Sequence, residues 1–404
     1  MSTTLDRMAA MVPALPRPVV LLEDGIGRHG SARLAWGARS RRRLPWLPAH
    51  VGDLSPLAGL PLVRLYGILA YDLGLPPGAV RHVPVVPLPV LDLFEPEHEI
   101  VVDLASDSLV SGAFPSLSSV SSVPSVVRSV LRDRSFDEHT FGAAVTRIKE
   151  HIAAGDVYQV NLAVAEQFHT NASAWTLYQR LRALNPSPWM GFADFGDWQL
   201  VCGSPELLIE VQSAPGGWRA RTRPIAGTRK KTGTATQDAA MRAELALDAK
   251  EQAEHRMLLD LARNDLGQVA RWGTVRVSER EVIEEYSHVF HLVSEVVADL
   301  PATVTPGQAV AAMFPGGTIT GAPKRRAMEV IASLEPVARG AYTGGLGWLG
   351  PDGAQMNIVI RSLTVRDDMA VVQAGAGIVW DSDPTREWRE SLRKGAALRE
   401  VLGA

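Results

Sequence analysis

Hydrophobic and polar residues alternate along much of the chain, and this pattern predicts a series of β-strands. The apolar run at 18–23 is typical of a buried strand. At 157–167 alternate side chains are apolar, which places Gln159 and Asn161 together on the opposite face. Shorter strands are predicted at 100–103, 190–195, 198–202, 207–212, 274–278, 344–349, 356–365 and 369–374. The pattern indicates an α+β protein dominated by antiparallel strands.

Apolar residues spaced three or four apart predict helices between these strands. Such spacing occurs at 141–151, at 175–183 and, after an opening loop, at 321–334. Residues 288–297 fit a strand and a helix equally well. A last helix is predicted at 384–402, because Asp383 is a good N-cap and Pro384 suits the first turn.

The segment 224–265 is expected to begin as a basic loop, with exposed backbone at Gly227, and to continue as one long helix. Glu251 and Glu254 are three residues apart, so their carboxylates share a helix face. Carboxylates beside a basic loop can hold a divalent cation against an anionic substrate; the alternative is an ordinary charged surface. Apolar residues recur along this helix at Ala243, Leu247, Ala253, Met257 and Leu261.

A second carboxylate pair lies near the C-terminus, where Glu387, Glu390 and Lys394 follow one another at spacings of three and four. The glycine-rich residues 373–379 precede it and read as a turn whose backbone N–H groups can bind a carboxylate. Magnesium prefers one or two protein carboxylates together with ligand oxygens and water. The two glutamate pairs therefore suggest a site for a magnesium-bound dianion, with a surface ion-pair ladder as the alternative.

Three further polar residues are candidates for chemistry. Glu206 follows a strand and suits a general acid, provided that burial raises its pKa. Arg361 ends an apolar strand and can pair with a structural carboxylate or bind a substrate carboxylate. His291 lies in an apolar segment, where a histidine is commonly a satisfied core residue. The glycine-rich residues 314–324 read as a loop that closes over a site.

Composition narrows the class of protein. The 404 residues carry a net charge of −3, which offers no electrostatic case for nucleic-acid binding. The only cysteine, Cys202, excludes an intrachain disulfide and a zinc site built from several thiolates. No apolar run approaches the length of a membrane span, and no signal peptide is evident at the N-terminus. A cytoplasmic location without membrane contact is therefore expected.

The N-terminal third looks less regular than the remainder. Residues 1–15 resemble a loose leader, and Arg41, Arg42 and Arg43 are expected in a solvated loop. Residues 106–126 are rich in serine and proline and read as a connector. We therefore expect a smaller N-terminal portion at 1–130 and a larger catalytic domain at 136–402.

Seven motifs in order resemble the chorismate-utilising enzymes. They are GDVYQVNL at 155–162, GSPE at 203–206, RPIAGT at 223–228, KEQAEH at 250–255, DLARND at 260–265, FPGGTITGAPK at 314–324 and AGAGIVWDSDP at 374–384. This family includes the large subunits of anthranilate synthase and aminodeoxychorismate synthase and, more distantly, the isochorismate and salicylate synthases. The resemblance implies two stacked antiparallel sheets flanked by helices.

The resemblance also implies roles for particular residues. Glu206 matches the acid that assists departure of the ring hydroxyl of chorismate, and His291 matches a histidine near the reacting carbon. Gly227 and Thr228 would line the ring, while Tyr342 and Arg361 would hold the enolpyruvyl carboxylate. Mg²⁺ on the ring carboxylate would be held by Glu251, Glu254, Glu387 and Glu390, with Gly375, Gly377 and Lys394 at the same end of the substrate.

Gln159 distinguishes two types of reaction among the enzymes that this chain resembles. Relatives that add water carry a lysine base at this position, whereas relatives that add ammonia carry glutamine. The chain has no glutamine-hydrolysing domain, so ammonia would be free or would come from a separate glutamine amidotransferase subunit.

The regiochemistry of amination is open at the level of sequence. Ala226 stands where many aminodeoxychorismate synthases carry a nucleophilic lysine, and alanine is the residue of anthranilate synthases. YTGG at 342–345, MNIVIR at 356–361 and YDLG at 71–74 resemble the aminodeoxychorismate branch, and Asp24 replaces the serine of the tryptophan-sensing strand. We favour aminodeoxychorismate synthase component I, with anthranilate synthase component I as the alternative and a non-catalytic chorismate-binding subunit as a third possibility.

Overall fold

The computed structural model describes residues 3–24, 31–44, 57, 63–76, 88–89, 91–103, 106, 108–112 and 127–404. The strands in these ranges are β1 (Val19–Asp24), β2 (Ser31–Trp36), β3 (Ser40–Leu44), β4 (Leu65–Leu69), β5 (Leu91–Glu95), β6 (His98–Asp103), β7 (Ser108–Ser111), β8 (Ser129–Arg134), β9 (Gln159–Thr170), β10 (Trp189–Asp194), β11 (Gln199–Ser204), β12 (Leu207–Ala214), β13 (Gly217–Arg223), β14 (Ile225–Lys230), β15 (Arg276–Glu285), β16 (Val289–Pro301), β17 (Gly321–Ala322), β18 (Gly345–Gly350), β19 (Gly353–Ile358), β20 (Ser362–Arg366) and β21 (Met369–Ile378).

Helices connect and flank these strands. They are α1 (Thr4–Met11), α2 (Glu138–Ala153), α3 (Ala174–Leu184), α4 (Ala235–Leu247), α5 (Ala249–Gly267), α6 (Pro306–Met313), α7 (Lys324–Leu334), α8 (Pro384–Lys394) and α9 (Ala396–Leu402). None of the helices in the described ranges is long and apolar enough to cross a membrane.

The strands form two antiparallel sheets. The first has the order β17-β9-β21-β20-β11-β10-β1-β2-β6-β7, and β8 pairs with the far end of β9. The second has the order β14-β16-β13-β12-β19-β18-β4-β5-β3, and β15 pairs with β16. A shared core that includes Val20, Leu22, Tyr66 and Leu346 packs one sheet against the other. The predicted α+β fold of two antiparallel sheets flanked by helices is confirmed.

Each sheet contains strands from both portions of the chain that the sequence suggested. Strands β1, β2, β6 and β7 extend the first sheet, and β3, β4 and β5 extend the second. Residues 113–126 of the expected connector lie outside the described residues. The division of the chain near Phe136 stays a prediction.

The N-terminal residues differ from the expectation. Residues 4–11 form α1, with a capping box between Thr3 and Asp6, instead of a loose leader. Met8, Met11 and Val12 are buried against the first sheet, and this apolar contact explains why the segment is ordered. Arg41 and Arg43 lie on β3 and form ion pairs with the buried Asp92, so the prediction of a loop was wrong. The three arginines at 41–43 are exposed, as expected.

The long helix predicted up to residue 265 is two helices. Asp248 has an extended backbone (φ −70°, ψ 104°), and its side chain accepts hydrogen bonds from the backbone N–H groups of Lys250 and Glu251. This N-cap begins α5 and ends α4, which leaves Leu247 80% exposed. The prediction of a basic loop before this helix was also wrong, because residues 225–230 form β14. The buried face of α5 consists of His255, Leu258, Leu259, Ala262, Asp265 and Leu266.

Three C-terminal predictions need correction. Residues 356–365 belong to two strands, because the chain leaves the sheet at Arg361, whose φ is +52°. The predicted glycine-rich turn at 373–379 is mostly strand β21, paired with β9. The helix predicted at 384–402 is interrupted at Gly395, where α8 ends and α9 begins. The ambiguous segment 288–297 is strand β16.

Candidate active site

Strands β9 and β21 bring Gln159 beside helix α5. Gly377 pairs with Asn161 in the register of these strands, and Gln159 lies two residues earlier on the same face. The Gln159 side chain is buried, and its Nε2 donates to Glu254 Oε1 over 3.0 Å. Gln159 Oε1 is a buried acceptor without a hydrogen-bond partner among the described residues. A Cβ at Gly377 would lie 2.3 Å from Gln159 Nε2, so glycine is needed for this contact.

The first carboxylate pair, Glu251 and Glu254, lies on α5 next to Gln159. Burial raises the pKa of Glu254, and the neighbouring charge of Glu251 raises it further. Glu251 is held by Arg229, whose Nη1 lies 3.2 Å from Glu251 Oε1. A buried carboxylate next to a second carboxylate is unfavourable unless a cation compensates the charge.

The second pair projects from α8. Burial raises the pKa of Glu387, although the Ser382 hydroxyl donates to Glu387 Oε1 over 2.8 Å. Burial acts in the same direction on Glu390, but Lys394 Nζ, 3.0 Å from Glu390 Oε1, lowers its pKa overall. The charge of Lys394 also favours ionisation of Glu254 and Glu387, so α5 and α8 present their glutamates to a common region.

The donor chemistry of this region fits a small divalent cation. Within the described ranges, no three acidic, histidine or cysteine side chains converge closely enough to bind a metal by themselves. Magnesium commonly takes only one or two protein carboxylates and completes its shell with water and ligand oxygens. Two separate pairs of partly buried carboxylates are compatible with this coordination of magnesium.

The bulge in β14 creates the next part of the site. Its register with β16 shifts between Ala226 and Thr228, and Gly227 adopts φ +70°. A Cβ at Gly227 would lie 3.2 Å from Glu251 Oε2, so the bulge touches the first carboxylate pair. The φ value and this close approach both favour glycine.

His291 lies on β16 opposite that bulge. Its Nδ1 is 2.9 Å from Thr228 Oγ1 and 3.3 Å from the Gly227 carbonyl oxygen. Burial lowers the pKa of His291 to about 4, so the imidazole is neutral near pH 7. The expected buried environment is confirmed, and the assignment of His291 to the active site stays a prediction.

Glu206 follows β11 and is buried, and it forms no ion pair within the described residues. Its Oε1 lies 3.4 Å from the backbone nitrogen of Ile225, at the start of β14. Burial raises the pKa of Glu206 to about 7, and the hydrogen bond from the Ile225 N–H acts in the opposite direction. This environment suits a carboxyl group that is protonated near neutral pH and gives up a proton.

Arg361 and Lys394 form a third side of the site. Arg361 Nη1 donates to the Lys394 carbonyl oxygen over 2.7 Å, and Lys394 Nζ donates to the Gly375 carbonyl oxygen over 3.1 Å. A Cβ at Gly375 would lie 2.6 Å from the Leu162 carbonyl oxygen, so no larger residue fits there without a shift. Arg361 is half-buried, and its charge acts on Tyr342. These contacts provide two cations for an anionic ligand.

Arg339 supports this site and was not predicted from the sequence. Arg339 is 3% exposed and donates to both oxygens of Glu335, to the Ile319 carbonyl oxygen and to the Asn161 carbonyl oxygen. It also lies over the Tyr342 ring at 5.8 Å. The four-residue spacing of Glu335 and Arg339 is visible in the sequence, but the contacts with Ile319 and Asn161 are not, because those residues are distant along the chain.

Comparison with known proteins identifies the family. A family model described as chorismate binding enzyme matches residues 62–400. The chain belongs to the chorismate binding enzyme family. The resemblance found in the sequence motifs is thereby confirmed.

Two curated relatives and one crystal structure illustrate the similarity. Aminodeoxychorismate synthase component 1 of Bacillus subtilis is 47% identical over 268 residues, which cover 66% of this chain and 56% of that protein. Anthranilate synthase component 1 of Cereibacter sphaeroides is 37% identical over 391 residues, which cover 90% of this chain and 76% of that protein. The crystal structure of anthranilate synthase component I from Streptococcus pneumoniae has a TM-score of 0.78 and 28% identity, and the match covers 91% of this chain and 92% of that one.

Proposed function

We propose that the protein is aminodeoxychorismate synthase component I, which converts chorismate and ammonia into 4-amino-4-deoxychorismate. The observation that carries the use of ammonia is the environment of Gln159. Its amide donates to Glu254 and leaves Oε1 as a buried acceptor without a partner in the described residues. An uncharged amide oxygen can accept an N–H bond from ammonia and leaves the nitrogen lone pair free to attack.

The remaining residues are assigned to different parts of the substrate. Arg361 and Tyr342 bind the enolpyruvyl carboxylate, while Gly227 and Thr228 line the ring. Lys394 and the backbone at Gly375 and Gly377 meet the ring-carboxylate end. Partly buried cationic groups bind carboxylates more strongly than fully exposed ones, because less water competes for them. These assignments come from family resemblance together with the convergence of the side chains.

Proton transfer falls to Glu206. Its pKa of about 7 lets it hold a proton at neutral pH and give that proton to the departing ring hydroxyl. Neutral His291 stands beside the ring and adds no positive charge there. Glu251, Glu254, Glu387 and Glu390 would hold Mg²⁺, which when bound draws electron density through the ring carboxylate.

The choice between the two amination products rests on a few residues. The motifs YTGG at 342–345 and MNIVIR at 356–361 and the match to the Bacillus protein support aminodeoxychorismate formation. Ala226, buried on β14, favours the second candidate, anthranilate synthase component I. Anthranilate synthases match the chain at similar identity. In either case we propose a separate glutamine amidotransferase as the source of ammonia and a cytoplasmic location.

Product analysis tests this proposal directly. The protein is incubated with chorismate, magnesium and ammonium, with and without a lyase that converts aminodeoxychorismate to 4-aminobenzoate. We expect 4-aminobenzoate only when the lyase is present. Fluorescent anthranilate and pyruvate without the lyase would assign the second candidate instead.

Two further incubations leave out ammonium or magnesium. Without ammonium we expect no isochorismate, and isochorismate as the main product would place the protein with the water-adding relatives. Without magnesium we expect no loss of chorismate absorbance. Chorismate binding with no turnover under any of these conditions would indicate a non-catalytic subunit.

A further inference from the structure

Arg223 lies where β13 passes into β14, between the two candidate catalytic residues Glu206 and His291. It is 7% exposed and faces three carboxylates. Arg223 Nη1 lies 2.7 Å from Glu295 Oε2 and 2.8 Å from Glu279 Oε2, and Nη2 lies 2.5 Å from Glu284 Oε1. A buried guanidinium with this many acceptors has a fixed position.

One branch from Arg223 leads to His291. Glu284 uses its other oxygen, Oε2, to accept a hydrogen bond from the Tyr286 hydroxyl over 2.8 Å. The Tyr286 ring then meets the His291 ring edge-on, with centroids 5.1 Å apart and an interplanar angle of 69°. The contacts Arg223–Glu284–Tyr286–His291 thus form a continuous chain.

The opposite side of His291 is held by the β14 bulge. Nδ1 faces the Gly227 carbonyl oxygen and the Thr228 hydroxyl. Because a carbonyl oxygen only accepts, the bond to Gly227 requires the proton on Nδ1. Nε2 of a neutral imidazole is then the unprotonated nitrogen, and the ring orientation determines where its lone pair points.

The same guanidinium is linked to Glu206 through the backbone. Residues Pro224 and Ile225 follow Arg223 directly, and the Ile225 N–H donates to Glu206 Oε1 over 3.4 Å. Leu207, next to Glu206, pairs with Arg223 between β12 and β13. Arg223 is therefore a shared anchor for the acid and for the imidazole.

We propose that Arg223, Glu284 and Tyr286 are positioning residues that fix the ring orientation and tautomer of His291. This inference rests on the proposed function for its kinetic consequence, although the geometry exists without it. None of the three residues is required to touch chorismate. Tyr286 acts through its ring, whereas Glu284 and Arg223 act by holding Tyr286.

The kinetic test uses adjacent glutamates on the same strand. Glu284→Gln weakens the acceptor shared by Arg223 and Tyr286, whereas Glu285→Gln changes a neighbour that pairs with Lys231 and Arg242 at the surface. We expect Glu284→Gln to lower kcat about tenfold with KM for chorismate changed less than about twofold. Glu285→Gln is expected to retain kcat within about twofold. Equal effects of the two substitutions would overturn the proposal.

A double-mutant cycle separates positioning from general support of the fold. Tyr286→Leu is expected to lower kcat about tenfold in the wild-type background and less than about twofold in a His291→Ala background. Equal losses in both backgrounds would show that Tyr286 does not act through His291. If Tyr286→Leu fails to fold, Tyr286→Phe replaces it in the cycle, because it keeps the ring and removes only the bond to Glu284.

A measurement without substrate keeps this inference distinct from the proposed function. Nitrogen NMR shifts of His291 in the unliganded protein report which ring nitrogen carries the proton. We expect a proton on Nδ1 in the wild type and in Glu285→Gln, and a mixture of tautomers in Glu284→Gln and Tyr286→Leu. An unchanged His291 signal in both of the latter variants would refute the positioning role, even if the wild type proves inactive on chorismate.

Discussion

The side-chain amide of Gln159 and the carboxylate of Glu254 are joined by a 3.0 Å hydrogen bond between β9 and α5. The bond fixes which end of the amide faces the carboxylate, because an ionised carboxylate can only accept. It therefore connects the residue that we assign to ammonia with one of the glutamates that we assign to magnesium.

Gly377→Ala tests the importance of this contact. The added Cβ would lie 2.3 Å from Gln159 Nε2 and 3.5 Å from Glu254 Oε1, so the amide must move away. We expect turnover to fall by at least about tenfold, corresponding to about 1.4 kcal/mol, while circular dichroism shows a folded protein. Gly267→Ala is the matched control, because nothing lies within 4 Å of a Cβ there and the residue is helical. Comparable losses in both variants would contradict the prediction.

Glu254→Gln is expected to abolish magnesium-dependent turnover. Burial and Glu251 raise the pKa of Glu254, so its ionised form is less favourable in the metal-free protein than that of an exposed glutamate. Removing that charge should leave the metal-free melting temperature near pH 7 unchanged or higher, and should remove the rise in melting temperature that magnesium produces in the wild type.

Asp260→Asn provides the control on the same helix. Its side chain is 71% exposed and pairs with Arg263, so turnover and the magnesium-induced stabilisation should remain. Calorimetric titration with magnesium compares the two variants. Full activity of Glu254→Gln at saturating magnesium would remove Glu254 from the metal site.

The pKa of Glu206 predicts a pH dependence of turnover. The acid must be protonated, and its pKa is about 7, so kcat at saturating magnesium and free ammonia should decrease as the pH rises above about 7. Glu206→Gln should remove most of the activity. A kcat that stays constant from pH 6 to pH 9, measured with ammonia corrected for its own ionisation, would argue against Glu206 as the acid.

The raised pKa of Glu206 also makes the stability of the folded protein depend on pH. The folded pKa of about 7 is higher than the ordinary value of 4.5, so the protonated carboxyl stabilises the protein fully below pH 4.5. This stabilisation is lost as the pH rises through about 7. Glu206→Gln is therefore expected to melt at a higher temperature than the wild type at pH 8 and at a similar temperature at pH 4.5. Thermal unfolding at the two pH values checks this sign.

Ala226→Lys addresses the regiochemistry. Ala226 is buried on β14, beside the bulge at Gly227 and opposite Leu292. In a pocket of the aminodeoxychorismate type, a lysine here should preserve or raise turnover, because related enzymes use it as a nucleophile. In an anthranilate pocket the same side chain should block the ammonia position and suppress anthranilate. Product analysis with and without the lyase reads out the result.

The sequence predicted the parts of the site that depend on local geometry. The pairs Glu251–Glu254 and Glu387–Glu390 share a face because helical spacing determines it wherever the helix packs. Likewise, strand alternation places Gln159 and Asn161 on one side of β9. The N-cap at Asp383 was also visible locally, and it accepts from the Arg386 N–H over 2.9 Å.

Most of the structural features that the sequence did not predict depend on contacts between residues that are distant along the chain. Residues 373–379 look like a turn because they are rich in glycine, yet most of them form a strand whose close neighbours leave no room for larger side chains. Arg361 gave no local sign of its left-handed backbone, which separates β19 from β20. The order of residues 4–11 depends on apolar contacts with the first sheet. Such contacts are not encoded by spacing within the segment itself.

The pairing of β9 with β21 has a consequence for synthesis of the chain. Strand β9 ends at Thr170, whereas β21 begins at Met369, so the ribosome makes the whole intervening sequence before the two can meet. Until then one edge of β9, over Val160–His169, lacks its long partner, and exposed strand edges are prone to pair with other chains. Synthesis of β21 therefore covers this edge of β9 and also brings Gly377 next to Gln159.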